Sequence, residues 1–191
     1  MPTLFRVSKM LKEMEEILMK VATEKIINEV CKELGFQMIK AVNDGNVISF
    51  VRDDYSLLYR LEHISLQISL KVNEKNVTAL IFPDPIMVNC QNKERIIKFI
   101  NHINWLTLAF GHFYVDTNND IAYAVKIPDY IILNYINEAK AQLFRTPIAF
   151  YTDIQIPLMK LSACEWDSEI AIKYINELYS NGFVSNDDYG V

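Results

Sequence analysis

The sequence predicts an α+β fold, built as a two-layer antiparallel sheet with helices packed on one face. The predicted order of elements is a helix, a block of strands, a second helix, two further strands and then helices. Apolar residues follow the helical repeat in the helices and alternate in the strands. Because the strands come in blocks and not singly between helices, this order argues against a doubly wound parallel sheet.

The chain begins with two apolar stripes at helical spacing. The first stripe holds Val7, Met10, Leu11, Met14, Ile17, Leu18 and Val21, and the second holds Ile27, Val30, Cys31 and Leu34. At ~100° per residue, the second stripe lies about half a turn out of phase with the first. One straight helix cannot bury both stripes against one surface, so we expect a break near Ala22 and Thr23. Gly35 is placed to cap the second helix.

Short strands follow the first helical region. Alternating and β-branched runs occupy residues 37–42, 46–51, 55–72 and 77–82, which predicts four or five antiparallel strands. Pro83 and Pro85 lack backbone donors, so we expect the ladder to end at Phe82. A crossover then leads to a central helix at 92–106, whose apolar side carries Ile96, Phe99, Ile100, Ile103 and Leu106.

A hairpin follows the central helix, and the apolar pattern tests its register. A three-residue loop at 118–120 gathers the apolar residues of both strands on one face. That register pairs Phe113 with Val125 and Val115 with Tyr123. Asp116 opens a D-x-N-x-D sequence like that of a calcium loop, but the sixth and twelfth positions lack the required Gly and Glu. We therefore interpret this segment as a plain turn.

Three helical stretches are predicted after the hairpin. The first begins at Pro128 and Asp129 and ends at Thr146-Pro147, and Pro157 kinks or divides the second. Asp167 or Ser168 caps the last helix, whose buried side carries Ile170, Tyr174, Ile175 and Leu178. The expected organisation is an N-terminal helical extension at 1–22, a main domain at 23–162, a C-terminal helix at 163–184 and a solvated tail at 185–191.

Composition and charge limit the classes of partner. The net charge of −5 comes without a basic block, so the sequence does not favour nucleic acid. Three cysteines without a C-x-x-C pair are typical of reduced thiols and not of a disulfide framework. No apolar run reaches the length of a membrane span, and the N-terminus is charged where a signal peptide is apolar. We expect a cytoplasmic protein without a membrane partner.

No group of residues in the sequence predicts catalysis. The histidines are His63, His102 and His112, and the sequence supplies no orienting partner for any of them. Gly-rich phosphate loops, nucleophile elbows and paired metal ligands are missing from the sequence. We therefore expect no enzymatic activity, no cofactor and no metal.

Two asparagines, Asn101 and Asn104, lie three residues apart on one side of the central helix. Half-buried amides need hydrogen-bond partners. Either the two amides bond to sheet or loop backbone, or they line a groove. We favour the structural role, because amides satisfy backbone groups well and are poor at chemistry.

Two surfaces are candidates for binding a partner. The face of the hairpin turned away from the helices carries Phe110, His112, Tyr114, Ala122 and Ala124, which is too apolar for plain contact with solvent. Helices of the same chain could instead cover that face. A second candidate is the N-terminal stripe, in which Met10, Met14 and Met19 are flexible apolar side chains suited to adaptable contacts. We expect deletion of residues 1–20 to leave the remaining domain folded.

The segment FINHINWLTLAFGHFYVDTNNDIAYAVKIP resembles the YbjN-type domain, a bacterial sensory-transduction regulator family whose fold is similar to that of type III secretion chaperones. In that family a helix with paired asparagines leads into a hairpin whose first strand ends with an Asp. The matching residues are Asn101, Asn104, Phe113, Asp116 and Ile121. The resemblance covers about residues 24–162 and implies the element order given above, without enzymatic activity. The chain departs from the family at residues 1–21, in the helix after Asp167 and in the Asn118-Asn119 turn.

These observations favour a non-catalytic protein-binding module, a chaperone-like or regulatory adaptor that binds a protein segment or effector-like partner. A homodimer through the same exposed sheet or helix surface is the alternative kind of contact. The alternative is a small-molecule sensor with a pocket between sheet and helices, lined by Trp105, Tyr123 and His112. An enzyme ranks third, for want of a convergent set of ionisable groups.

Overall fold

The computed structural model describes residues 2–39, 55–107 and 110–180, and it confirms the predicted α+β class. The helices are α1 (Pro2–Leu34), α2 (Lys93–Leu106), α3 (Asp129–Asn134), α4 (Ile136–Lys140), α5 (Thr146–Ser162) and α6 (Ser168–Ser180), with a π-helical segment at Ala141–Arg145. The strands are β1 (Gln37–Met38), β2 (Tyr55–Arg60), β3 (Ser65–Asn73), β4 (Asn76–Asp84), β5 (His112–Val115) and β6 (Ile121–Pro128). The predicted strand at 46–51, the last residues of the predicted C-terminal helix at 163–184 and the tail at 185–191 lie outside the described residues.

The six strands form one antiparallel sheet in the order β1-β2-β3-β4-β6-β5. Alternate residues of the long strands, among them Ile68, Ile81 and Tyr123, belong to a single core that includes Phe99 of α2 and Leu158 of α5. Helices therefore cover one face of the sheet. The intervening strand residues face the other way, as the two-residue period of a strand requires.

The predicted break near Ala22 and Thr23 is wrong, because α1 is one continuous helix. Its second stripe enters the core, where Ile27 and Val30 are fully buried. Its first stripe lies on the opposite side of the helix and remains exposed along residues 10–21, Met19 excepted. The half-turn offset excludes a single common surface, but a straight helix can present its two stripes to two different surfaces.

A buried lysine ties the C-terminal half of α1 to α4. The Lys140 Nζ lies 3.1 Å from a carboxylate oxygen of Glu29 and 3.1 Å from one of Glu33. Arg145 adds a 3.3 Å contact to Glu33. Burial opposes the charge of Lys140, but the hydrogen bonds and charges of the two glutamates outweigh it and raise the lysine pKa. These contacts orient α1 on the rest of the fold.

Contrary to the prediction, β4 continues past Phe82. The strand extends to Asp84, and Pro83 pairs with Leu66 of β3. The pairing of β4 with β6 ends where Ile81 lies opposite Tyr123. Beyond that point β4 is not paired with β6. Pro83, which has no backbone N–H, is therefore tolerated there.

The helical region after the hairpin is divided differently from the prediction. It is interrupted at Tyr135, between α3 and α4, and it does not end at Thr146-Pro147. Instead the π-helical segment leads directly into α5, and Pro147 lies in the first turn of α5, where its fixed φ is compatible with the helix. Pro157 lies inside α5 without dividing it.

The last helix, α6, begins as predicted. The Asp167 side chain accepts a hydrogen bond from the backbone N–H of Ile170 at 2.9 Å, which caps the helix. Ile175 is buried as expected, but Ile170 and Leu178 are exposed, because α6 packs against α2 and α5 through a narrower side that includes Ala171. None of the helices in the described residues is long and apolar enough to cross a membrane.

Candidate interaction surfaces

The hairpin of β5 and β6 forms with the predicted face but with a different register. Phe113 lies opposite Tyr123 and Val115 opposite Ile121, so the predicted pairs of Phe113 with Val125 and Val115 with Tyr123 are wrong by two residues. The loop still has three residues, but it is Thr117-Asn118-Asn119 and not 118–120. A shift of two residues leaves every side chain on the same face of the sheet. The predicted division of the hairpin into a core face and an opposite face is therefore correct.

Asp116 closes the turn in this register. Its carboxylate accepts the backbone N–H groups of Asn118 and Asp120 at 2.8 and 2.9 Å, and its own N–H donates to the Asp120 carbonyl at 2.9 Å. Asn119 takes the left-handed conformation with φ 66°, and Lys93 of α2 donates to its side-chain oxygen at 2.7 Å. The interpretation of this segment as a turn is confirmed, and the carboxylate of Asp116 serves the turn.

The two asparagines of α2 have different environments. The Asn104 amide donates to the carbonyl of Phe113 at 2.8 Å and accepts the N–H of Phe113 at 2.7 Å. β5 is the last strand of the sheet, so Asn104 satisfies backbone groups that would otherwise form an open edge. Asn101 is exposed. The structural interpretation is therefore confirmed for Asn104.

The face of the sheet turned away from the helices carries a continuous apolar surface, which we call the open-face patch. It consists of His112 and Tyr114 of β5, Ala122 and Ala124 of β6, and Leu80 and Phe82 of β4. Leu80 lies opposite Ala124, which lies opposite His112 on its other side. The patch is therefore larger than the sequence predicted. The sequence did not reveal the contribution of β4 to the patch. Leu80 and Phe82 alternate with core residues that are also apolar, and a fully apolar run does not show which face of the strand is covered.

The members of the open-face patch differ in accessibility. His112 is exposed, whereas Tyr114, Ala124, Leu80 and Phe82 are half-buried, and none of them packs against the core. Ala122 is fully buried and is not an accessible contact residue, contrary to the prediction. Burial, together with the negative charge of Asp116, raises the pKa of Tyr114. Its hydroxyl group therefore stays protonated at neutral pH and can donate a hydrogen bond.

Two aromatic side chains are exposed near the point where α2 leads into β5. Phe110 is 59% exposed and lies two residues before β5. Trp105, which the sequence placed in a pocket, is 78% exposed on α2. Residues four positions apart lie on the same side of a helix, so the exposed Asn101 could have indicated that Trp105 also lies on the surface. Exposed tryptophan is common at contact surfaces.

The three residues predicted to line a sensor pocket do not come together. Trp105 and His112 are exposed, whereas Tyr123 is buried in the core against Phe113. Burial raises the pKa of Tyr123 to about 12. The ring of Tyr123 also fills the space beside Gly111, where an added Cβ atom would lie 2.4 Å from the ring. The Tyr123 ring therefore packs directly against the backbone at Gly111.

A shallow polar depression of about 300 Å³ lies at the β2–β3 connection. It is lined by Arg60, Leu61, Glu62, His63, Ile64, Ser65, Asp84 and Pro85. The backbone N–H of His63 donates to the buried side chain of Gln155 at 3.1 Å, so this connection is tied to α5. Among the residues that the structure describes, no group of three or more His, Cys, Asp or Glu is placed to hold a metal ion.

The N-terminal stripe of α1 is a second exposed apolar surface. Met10, Leu11, Met14, Ile17, Leu18 and Val21 are all more than half exposed. Met19, which the sequence grouped with Met10 and Met14, is 1% exposed and belongs to the core. Deletion of residues 1–20 would remove this core side chain, so the expectation that such a deletion leaves the domain intact is no longer supported.

No family model matches this chain, and no curated protein is significantly similar to it. Inferences about function therefore rest on the two apolar surfaces and on the contacts around them.

Proposed function

We propose that this protein is a non-catalytic protein-binding module, a chaperone-like or regulatory adaptor, which holds a segment of another protein against the open-face patch. The observation that carries the proposal is that Tyr114, Leu80 and Phe82 remain partly accessible and do not join the core. Contiguous apolar surface on the sheet face that the described helices leave open is typical of contact surfaces. Aromatic side chains at such surfaces contribute much of the binding free energy.

The backbone contacts of β5 favour docking on the face of the sheet over addition of a strand at its edge. A segment that extends a sheet must bond to free backbone groups of an edge strand. At β5 the side chain of Asn104 already occupies the N–H and the carbonyl of Phe113. The patch instead offers apolar side chains and the hydroxyl of Tyr114. We therefore expect a partner segment that presents an apolar stripe with a hydrogen-bond acceptor beside it.

The proposal includes the similarity to YbjN-type domains and their secretion chaperone-like fold. Two observations support it: the order of the elements, and the roles of two residues that match the family's pattern. Asn104 bonds to the backbone of Phe113, and Asp116 ends β5 in the hairpin turn. Both roles are structural, so they support the fold more strongly than the identity of any partner.

The test compares protein capture by three forms of the full chain. Phe110→Ser with Tyr114→Ser removes one aromatic ring of the patch and the exposed ring of Phe110, two residues before β5. Tyr130→Ser with Tyr135→Ser removes two exposed aromatic rings on and after α3 as a matched control. We expect the first variant to lose proteins that the wild type and the control both retain. Because Phe110 is exposed and Tyr114 half-buried, we expect its Tm to fall by no more than about 5 °C.

A different result would contradict the proposal. Core aromatics cost roughly 3–5 kcal/mol each on truncation, which for two side chains corresponds to a Tm loss of more than about 12 °C. A loss of that size, with unchanged mass in solution, would show that the patch is internal. Equal capture by all three forms would show that the patch is exposed but binds none of the captured proteins.

A further inference from the structure

We infer that two copies of this chain associate through the N-terminal stripe of α1, with the two helices antiparallel about a two-fold axis between Met14 and Ile17. The stripe consists of Met10, Leu11, Met14, Ile17, Leu18 and Val21. This inference goes beyond the proposed function and does not depend on it, because the stripe and the open-face patch lie on different elements.

The spacing of the exposed residues is that of a helix-pairing seam. Met10, Met14, Ile17 and Val21 are separated by four, three and four residues, which is the a/d pattern of a heptad repeat. Residues 10–21 extend over ~17 Å of helix, enough for four layers of side chains. The buried residues of the same helix, such as Ile26 and Val30, lie on the opposite side. A second copy can therefore pack on the seam without displacing the core.

The charges beside the seam favour an antiparallel pair of identical helices. In that arrangement Met14 of one copy faces Ile17 of the other, and Met10 faces Val21. Glu13 of each copy then lies opposite Lys20 of the other, so that two pairs of opposite charge flank the seam. In a parallel pair, Lys20 would instead face Lys25 of the second copy, which is unfavourable.

The apolar area is sufficient for a specific dimer. Six side chains that are each more than half exposed present on the order of 600 Å² per copy. Complete coverage of this area in both copies would bury roughly 1,200 Å², so at least about four fifths of it must be covered to exceed the ~1,000 Å² expected of a specific interface. The Lys140 contacts to Glu29 and Glu33 help to hold the backbone of α1 on the fold before association, so the conformational entropy lost on pairing is mainly that of the side chains.

The test measures the mass of the full chain in solution by sedimentation from about 1 to 100 µM. We expect a dimer that dissociates on dilution. Met14→Glu with Ile17→Glu should weaken it by more than about 100-fold, since each substitution acts twice across a two-fold axis. Met87→Glu, a change of the same kind at an exposed methionine outside α1, should leave the dimer unchanged. Thermal melts should show that all these forms remain folded.

Charge exchange tests the orientation of the helices. Glu13→Lys alone and Lys20→Glu alone should each weaken the dimer by roughly tenfold, because each places like charges opposite one another. An equimolar mixture of the two variants should recover the affinity of the wild type, since all facing pairs are then opposite in sign. A Lys20→Glu variant that dimerises more tightly would indicate parallel helices and overturn the arrangement. A wild type that stays monomeric at 100 µM, or a dimer insensitive to the seam substitutions, would overturn the inference itself.

Discussion

The amide of Asn104 is expected to hold the edge strand β5 in the sheet, and its replacement by leucine tests this. Asn104→Leu keeps the size of the side chain but removes both hydrogen bonds to Phe113, which measure 2.8 and 2.7 Å. Each neutral hydrogen bond contributes about 1 kcal/mol, and leaving the backbone groups of Phe113 unpaired in a half-buried site adds to the loss. We expect a total cost of roughly 2–4 kcal/mol, or a Tm lower by about 5–12 °C for a chain of this size.

Asn101 provides the matched control on the same helix. Its side chain is exposed, so Asn101→Leu should change the stability by no more than about 0.5 kcal/mol. Asn104→Asp should give an intermediate loss at neutral pH, because a carboxylate can accept the N–H of Phe113 but cannot donate to its carbonyl.

Thermal melts measure the global effect, and hydrogen exchange of the Phe113 amide measures the local one. We expect exchange at Phe113 to accelerate in Asn104→Leu by more than the loss of global stability explains, because β5 frays from the edge of the sheet. Equal effects of the two asparagine substitutions, or unchanged protection of Phe113, would refute the role assigned to Asn104.

Two further predictions concern the core and its ionisation. Met19→Ala should lower the free energy of unfolding, measured by urea denaturation, by about 2–4 kcal/mol, because Met19 is fully buried. Met14→Ala, at an exposed site, should have almost no effect on the stability of the monomer. Similar losses in the two variants would contradict the assignment of the two stripes. Burial raises the pKa of Asp153 above its usual 3.8, although Tyr179 donates a hydrogen bond to it. The native state therefore binds the proton more tightly than the unfolded state does. The stability of the wild type falls as the pH rises through the range in which this carboxyl group ionises. Asp153→Asn should therefore raise the Tm at pH 7 and lose this advantage at pH 3; a lower Tm at pH 7 would contradict the reasoning.

Predictions from the apolar pattern succeeded where they depended on local periodicity. Alternation of apolar residues assigns each strand residue to a face, and that assignment survives a shift of two residues, so the faces of the hairpin were correct although the register was not. The open-face patch was identified for the same reason. Ala122 was misplaced because alternation gives the face of a residue but not the size of the side chains around it.

The sequence by itself determined the α+β class, the order of the elements, the two stripes of α1 and the turn at Asp116, since each follows from the spacing or chemistry of neighbouring residues. Only the tertiary structure decided the register, the continuity of α1 and the pairing of Asn104 with Phe113. Those features depend on contacts between residues distant in sequence, such as Lys140 with Glu29 and Lys93 with Asn119. The helical phase shows that the two stripes of α1 face opposite ways. Either a break in the helix or a straight helix with two exposed sides is consistent with that phase. Only the packing of the rest of the chain decides between them.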